Sequence, residues 1–202
     1  MKTNTKSLVL LGVLTAIELV FLLTPIGTVP IGPLSITLGV IPVAIAAIAL
    51  GPVGGLILGS VFGIMSFLQC IGIGVPSGMG AILFEINPFL AFIQRFIPRA
   101  LDGLLLGFIF QGVSKLNKET ACFVTGFCSA FLNTLFFMSA LVLLFGNTEY
   151  VQGLMDGRNV IAFIIGFVGI NAVVEMVAST VVVGLVGVAL HAAKLVGQPK
   201  TA

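Results

Sequence analysis

Six apolar stretches, separated by short polar or glycine- and proline-rich breaks, fill almost all of this 202-residue chain. A helix that crosses a bilayer needs about 20 predominantly apolar residues. The stretches fall at 7–24, 34–50, 53–71, 89–113, 120–145 and 160–192. They predict an all-α membrane protein, a bundle of six transmembrane helices forming a single integral membrane domain over 1–202. Composition agrees. Charged residues make up 8% and hydrophobic residues 58%, with a mean hydropathy of +1.25. A soluble domain carries roughly 25% charged residues, because its surface must meet water. Disorder and a soluble enzyme are excluded on that ground.

The breaks set the topology. Pro25, Gly27, Pro30, Gly32 and Pro33 cannot continue a helix. Gly51-Pro52 marks a tight turn, and 72–80 is glycine-rich and reads as a loop or re-entrant segment. The segments 114–119 and 146–159 are polar. Lys2 and Lys6 before an apolar run have the outline of a secretion signal. The run continues to Leu23 without a small-residue cleavage site, so it reads as a retained first helix. Six crossings put both termini on one side. Lys2, Lys6, Lys115, Lys118, Lys194 and Lys200 fall on that side and only Arg158 opposite. The excess of basic residues in cytoplasmic segments then predicts cytoplasmic termini in a cell membrane. The loops at 25–33, 72–88 and 146–159 face outward, and 25–33 has the make-up of a lid or of an ordinary connector.

Small residues line several helix faces. Gly51, Gly55, Gly59 and Gly63 recur at a spacing of four, which places them on one face. Gly12 with Ala16 and Gly126 with Ala130 repeat the spacing. Such faces let backbones approach closely in lipid. Internal packing and docking onto a partner both satisfy the spacing.

Charges at membrane depth are costly unless paired or hydrated, and so are functional candidates. Glu18 lies in the first helix; Arg95, Arg99 and Asp102 lie in the fourth. Arg99 and Asp102 stand at i,i+3 and can pair. Such a pair would shield Pro98, whose ring frees a carbonyl four residues back. Asn133 and Thr134 sit in the fifth helix, and Asn171 and Glu175 share a face of the sixth. As structural glue the asparagines would bridge helices. As a ligand site they supply the donors and acceptors that bind a small polar molecule. Glu85 and Asn87 are candidates for its rim, and Gln69 is a further candidate.

Several functions lack their residues. The net charge of +2 is too small for a nucleic-acid-binding face. Cys70, Cys122 and Cys128 have no metal-type spacing and read as apolar filling. The single histidine, His191, has no cysteine or acidic cluster near it. No phosphate-binding G-x-x-x-x-G-K-[ST] loop occurs. No cofactor, metal or catalytic residue is therefore expected.

The chain resembles the substrate-capturing S components of energy-coupling-factor (ECF) vitamin transporters over nearly its whole length. The run 31–63 (IGPLSITLGVIPVAIAAIALGPVGGLILGSVFG) is similar to that family's second and third helices, and 96–103 (FIPRALDG) to its fourth-helix Pro-Arg segment. Asn133-Thr134 and Asn171…Glu175 match polar positions of the last two helices. The resemblance implies a high-affinity binding subunit for a vitamin or precursor, with its pocket near the outer surface. Its partners would be a shared transmembrane subunit and two ATPase subunits, and delivery would involve reorientation in the bilayer. Gly12 and Ala16 match first-helix positions that touch the shared subunit, with Gly where Ala is usual. The pantothenate-type subgroup is nearest, and an arginine-bearing fourth helix suits a carboxylate. Folate, riboflavin, a pyridoxine-type vitamin and a thiamin precursor stay open. With no tryptophan and only Tyr150, stacking platforms for a large flat ring are few. Two other classes compete. A self-sufficient ion-coupled transporter of a small polar metabolite would use Glu18 or Glu175 as a proton site. An intramembrane enzyme is disfavoured by the missing catalytic groups.

Overall fold

The computed structural model describes residues 5–31 and 34–193. Lys2, Lys194 and Lys200, and Gly32 and Pro33 of the segment 25–33, lie outside the described residues. The chain runs α1 (Thr5–Leu23), β1 (Thr28–Ile31), β2 (Leu34–Thr37), α2 (Val40–Leu68), a 3-10 turn (Gln69–Ile71), α3 (Gly78–Ile86), α4 (Pro88–Val113), α5 (Lys118–Phe145), α6 (Glu149–Met155) and α7 (Val160–Ala192). It is an all-α membrane bundle carrying one small antiparallel hairpin. Five helical segments among the described residues are long and apolar enough to cross a membrane, and the bent pair Glu149–Met155 with Val160–Gly169 makes a sixth if it is one span.

Side-chain caps start most of these helices where the sequence breaks its apolar runs. Asn87 accepts hydrogen bonds from the backbone N–H groups of Phe89 and Leu90, with Pro88 at the first helical position. Asn117, Thr148 and Asn159 cap α5, α6 and α7 in the same way. A helix start leaves N–H groups unpaired, and in an apolar environment a side-chain acceptor is the economical partner.

The expected second and third spans are joined in α2, which breaks at Gly51 (φ 75°, ψ −167°). That backbone conformation is left-handed and favours glycine. The two arms fold against each other. A methyl built on Gly55 would lie 3.0 Å from the Ala47 Cβ, and one on Gly54 3.1 Å from the Ala46 carbonyl oxygen. In a straight helix residues eight apart stand about 12 Å apart.

The expected span 34–50 is therefore corrected. Residues 34–37 are strand, and the helix begins at Val40. The arm 40–50 is about 16 Å long, half a bilayer's apolar thickness, and is buried from Val40 to Ala49. The expected outer loops also carry structure. The loop 25–33 forms the first half of the hairpin, 72–88 contains α3, and 146–159 contains α6. Local apolar content did not separate a strand, or a short buried helix, from a span.

The glycine stripe of α2 packs internally. Its second arm runs antiparallel to α4, and this is the most extensive interface in the molecule. A Cβ on Gly55 would collide with the Gly103 carbonyl, one on Gly59 with the Arg99 carbonyl, and one on Gly107 with the backbone of Pro52. A Cβ on Gly63 would sit 2.9 Å from the Phe96 Cα. Gly126 of α5 is equally enclosed, 2.7 Å from the Ser179 carbonyl oxygen of α7 by the same construction. Gly12 differs, with nothing within 4 Å. It shares an exposed face of α1 with Leu8, Val9, Val13 and Ala16.

Gly55→Ala is expected to destabilise the bundle by about 1–3 kcal/mol through overpacking. Gly12→Ala should leave stability unchanged or slightly raised. Thermal unfolding of the purified protein in one detergent checks both. Equal effects at the two positions would contradict the assigned packing.

Candidate functional site

A cavity lies at the end of the bundle that carries the hairpin and the start of α3. The space between its walls, open solvent at its mouth included, is about 720 Å³. The hairpin contributes Thr28 and Thr37, and the second arm of α2 contributes Phe62 and Ser66. Gln69, Ser77 and Met79 follow from the 3-10 turn and the start of α3. Arg95 and Arg99 enter from α4; Asn133, Thr134, Phe137 and Met138 from α5; Val168, Asn171, Ala172 and Glu175 from α7.

Six of the eight expected binding residues thus meet in one place: Gln69, Arg95, Asn133, Thr134, Asn171 and Glu175. Glu85 and Asn87 do not. Glu85 is exposed on α3, and the Asn87 side chain is taken up in capping α4. Their position after a glycine-rich loop suggested a rim. The intervening α3 turns them away, and α3 was the element that sequence spacing did not show. The cavity hydroxyls of Thr28, Thr37, Ser66 and Ser77 carried little signal. In apolar helices a hydroxyl commonly bonds back to its own helix, as Ser60 and Thr125 do here.

The arginines explain much of the local chemistry. Pro98 has no N–H to offer the carbonyl four residues back, at Gln94. Arg99 Nη1 donates to that carbonyl at 3.3 Å. The expected pairing of Arg99 with Asp102 does not form among the described residues, and Asp102 Oδ1 has no hydrogen-bond partner there. The guanidinium turns into the cavity instead. It lies 4.3 Å from the Phe137 ring centre and 5.5 Å from that of Phe62. Arg95 approaches the same Phe137 ring at 5.1 Å and donates Nη2 to the Ser77 hydroxyl at 3.0 Å. Each guanidinium keeps an unpartnered Nε. The two cations therefore flank one ring, and aromatic faces stabilise them only in part.

The other polar groups are divided between structure and cavity. Gln69 Nε2 donates to the Leu22 carbonyl at 2.9 Å and ties the 3-10 turn to the end of α1. Glu175 Oε1 accepts from the Thr37 backbone N–H at 2.7 Å. Asn133 is 5% exposed, and its Oδ1 has no partner among the described residues. Glu18 does not line the cavity. It is buried under the hairpin's exit, with its Oε1 3.0 Å from where a Gly39 Cβ would stand. Gly39 caps the first arm of α2, so the carboxyl group lies at the electropositive end of a helix. No grouping of His, Cys, Asp or Glu suited to a metal ion occurs among the described residues.

This arrangement suits an anion that also carries hydrogen-bonding groups. Two guanidiniums supply positive charge, Asn133, Thr134 and Asn171 supply directional bonds, and Phe62, Phe137, Met79 and Met138 supply apolar walls.

If Arg99 replaces the proline-deleted bond, Pro98→Ala restores an N–H that competes for the Gln94 carbonyl. Arg99→Ala should then cost about 1 kcal/mol less in the Pro98→Ala background than alone. A double-mutant cycle of thermal unfolding measures this coupling, and strict additivity would refute the bond's role.

Comparison with known proteins gives two findings. The family described as ECF transporter, substrate-specific component, matches residues 6–187. The chain is also similar to the pantothenate transporter PanT of Leuconostoc mesenteroides subsp. mesenteroides, at 30% identity over 195 residues, covering 91% of each chain.

Proposed function

Because this chain belongs to the family of ECF transporter substrate-specific components, we propose that it captures pantothenate, a vitamin carboxylate, in the cavity between α4, α5 and α7. The observation that carries this reading is the pair of guanidiniums, Arg95 and Arg99, facing one cavity beside uncommitted amides. Pantothenate combines a carboxylate with hydroxyl and amide groups on a flexible aliphatic frame. The carboxylate meets the arginines, which bind that group with charge and geometry together. Asn133, Thr134 and Asn171 serve the polar remainder. The similarity to a pantothenate transporter supports the same choice.

The chain acts without an ATPase of its own, as one multi-pass unit beside a shared transmembrane subunit and two ATPase subunits. Its termini face the cytoplasm and the cavity faces outward. The distribution of Lys6, Lys115 and Lys118 against Arg158 supports this orientation. Gly12 and Ala16 form the docking face on α1, which packs chiefly on α2 and leaves its opposite side apolar and exposed. Small residues there would let a partner helix approach closely. Reorientation on the shared subunit delivers the ligand inward.

Titration calorimetry of the purified protein with pantothenate should show one saturable site. Arg95→Ala and Asn171→Ala should each weaken it at least about tenfold, in line with loss of a charged or buried hydrogen-bonded contact. The corresponding primary alcohol, which lacks the carboxylate, should bind less tightly than pantothenate. Equal affinity for the two would remove the carboxylate reading. Gly12→Leu should spare vitamin binding and reduce recovery of the assembled four-subunit complex. Vesicles holding this chain alone should show no ion-driven uptake; uptake there would favour a self-sufficient transporter.

A further inference from the structure

We propose that Glu175 is a positioning residue that latches the β1–β2 hairpin to α7 at the edge of the cavity, and that ligand escape requires its bond to Thr37 to break. The inference rests on the cavity being the vitamin site.

The hairpin lines the cavity through Thr28 and Thr37, and α7 lines it beside them through Glu175. The 2.7 Å bond from the Thr37 N–H to Glu175 Oε1 joins the two elements. The hairpin's other side-chain hydrogen bonds among the described residues are local. Thr28 Oγ1 donates to the Phe21 carbonyl at 3.1 Å, and the Gly39 N–H donates to Thr37 Oγ1 at 3.2 Å. These fix the root to α1 and to the start of α2, and they survive any swing of the hairpin about that root. The Glu175 bond bridges 138 residues of sequence and cannot survive a swing away from α7.

The ladder explains why Thr37 has this donor available. The strands pair with Thr28 opposite Thr37, and the Leu38 N–H donates to the Gly27 carbonyl at 2.8 Å. Antiparallel pairs alternate between bonded and non-bonded. With Gly27–Leu38 bonded, Thr28–Thr37 is a non-bonded pair, and the Thr37 N–H points out of the sheet edge. An edge N–H seeks a partner. Glu175, 6% exposed, supplies one shielded from water.

Hydrogen exchange read by mass spectrometry, with pantothenate dissociation measured on the same samples, tests the latch. Glu175→Ala should raise exchange in the segment spanning 28–37 and speed dissociation about tenfold, with exchange in α4 and α5 unchanged. Glu175→Asp keeps the carboxyl but is one methylene shorter, and should open the hairpin as Ala does. Glu175→Gln retains an oxygen acceptor of the same reach and should restore hairpin protection. Hairpin exchange at the wild-type level in Glu175→Ala would overturn the latch, and so would a Gln variant as open as the Ala variant. If the wild-type protein fails to bind pantothenate, the proposed function falls, while exchange in the ligand-free proteins still decides the latch.

Discussion

Close backbone contact between the second arm of α2 and α4 is the constraint on which the rest of the structure depends. Water supplies no hydrophobic drive between helices inside a bilayer, so association relies on packing at short range. Gly55, Gly59 and Gly63 on one side, and Gly103 and Gly107 on the other, bring the two backbones to a separation that no Cβ would permit. This contact fixes the rotation of α4 about its axis. With Gly103 and Gly107 turned toward α2, Arg95 and Arg99 are carried to the cavity. A different rotation would present the same guanidiniums to lipid, at high cost.

The same helix shows how one local defect is made useful. Pro98 breaks a hydrogen bond in the middle of an apolar helix, where water cannot repair it. Arg99, its neighbour, satisfies the orphaned carbonyl with one nitrogen and points the rest of its charge at the cavity. The arginine thus has a structural bond and a free valence together. Arg95 divides itself similarly, between the Ser77 hydroxyl and the cavity. Residues with two tasks of this kind blur the contrast between a structural ion pair and a binding site. For Arg99 the first alternative does not hold, because no ion pair with the expected partner Asp102 forms among the described residues.

The bundle was legible in the sequence because lipid allows few solutions. Apolar length and helix breakers marked the ends of α1, α4, α5 and α7 to within two residues. Six cavity residues were legible because a polar side chain in an apolar helix has few innocent explanations. The remainder depended on packing. A hairpin at 28–37 and a short helix at 40–50 have the same apolar content as a span, and only burial by neighbours distinguishes them. Glu85 and Asn87 looked like rim residues because their loop is near the cavity; the short helix α3 turns them aside. The glycine stripe on α2 and the pair on α1 have the same spacing. They differ in what faces them, and spacing does not contain that information.

That difference separates the small-residue faces into enclosed and open ones. The enclosed glycines belong to a closely packed pair of helices that holds polar groups of the cavity in place. The open Gly12 and Ala16 lie on α1, the helix least embedded in the bundle. The C-terminal end of α1 is held nonetheless: Gln69 bonds the Leu22 carbonyl and Thr28 bonds the Phe21 carbonyl. One of those residues lines the cavity from the 3-10 turn and the other from the hairpin. The exposed helix is therefore tied at one end to the walls that enclose a ligand and is free of close contact along the face around Gly12. A partner can bind that face without displacing any group of the cavity. Under the proposed function, ligand and partner would then draw on separate sets of residues, which is what a subunit needs if it is to carry its ligand into a shared assembly.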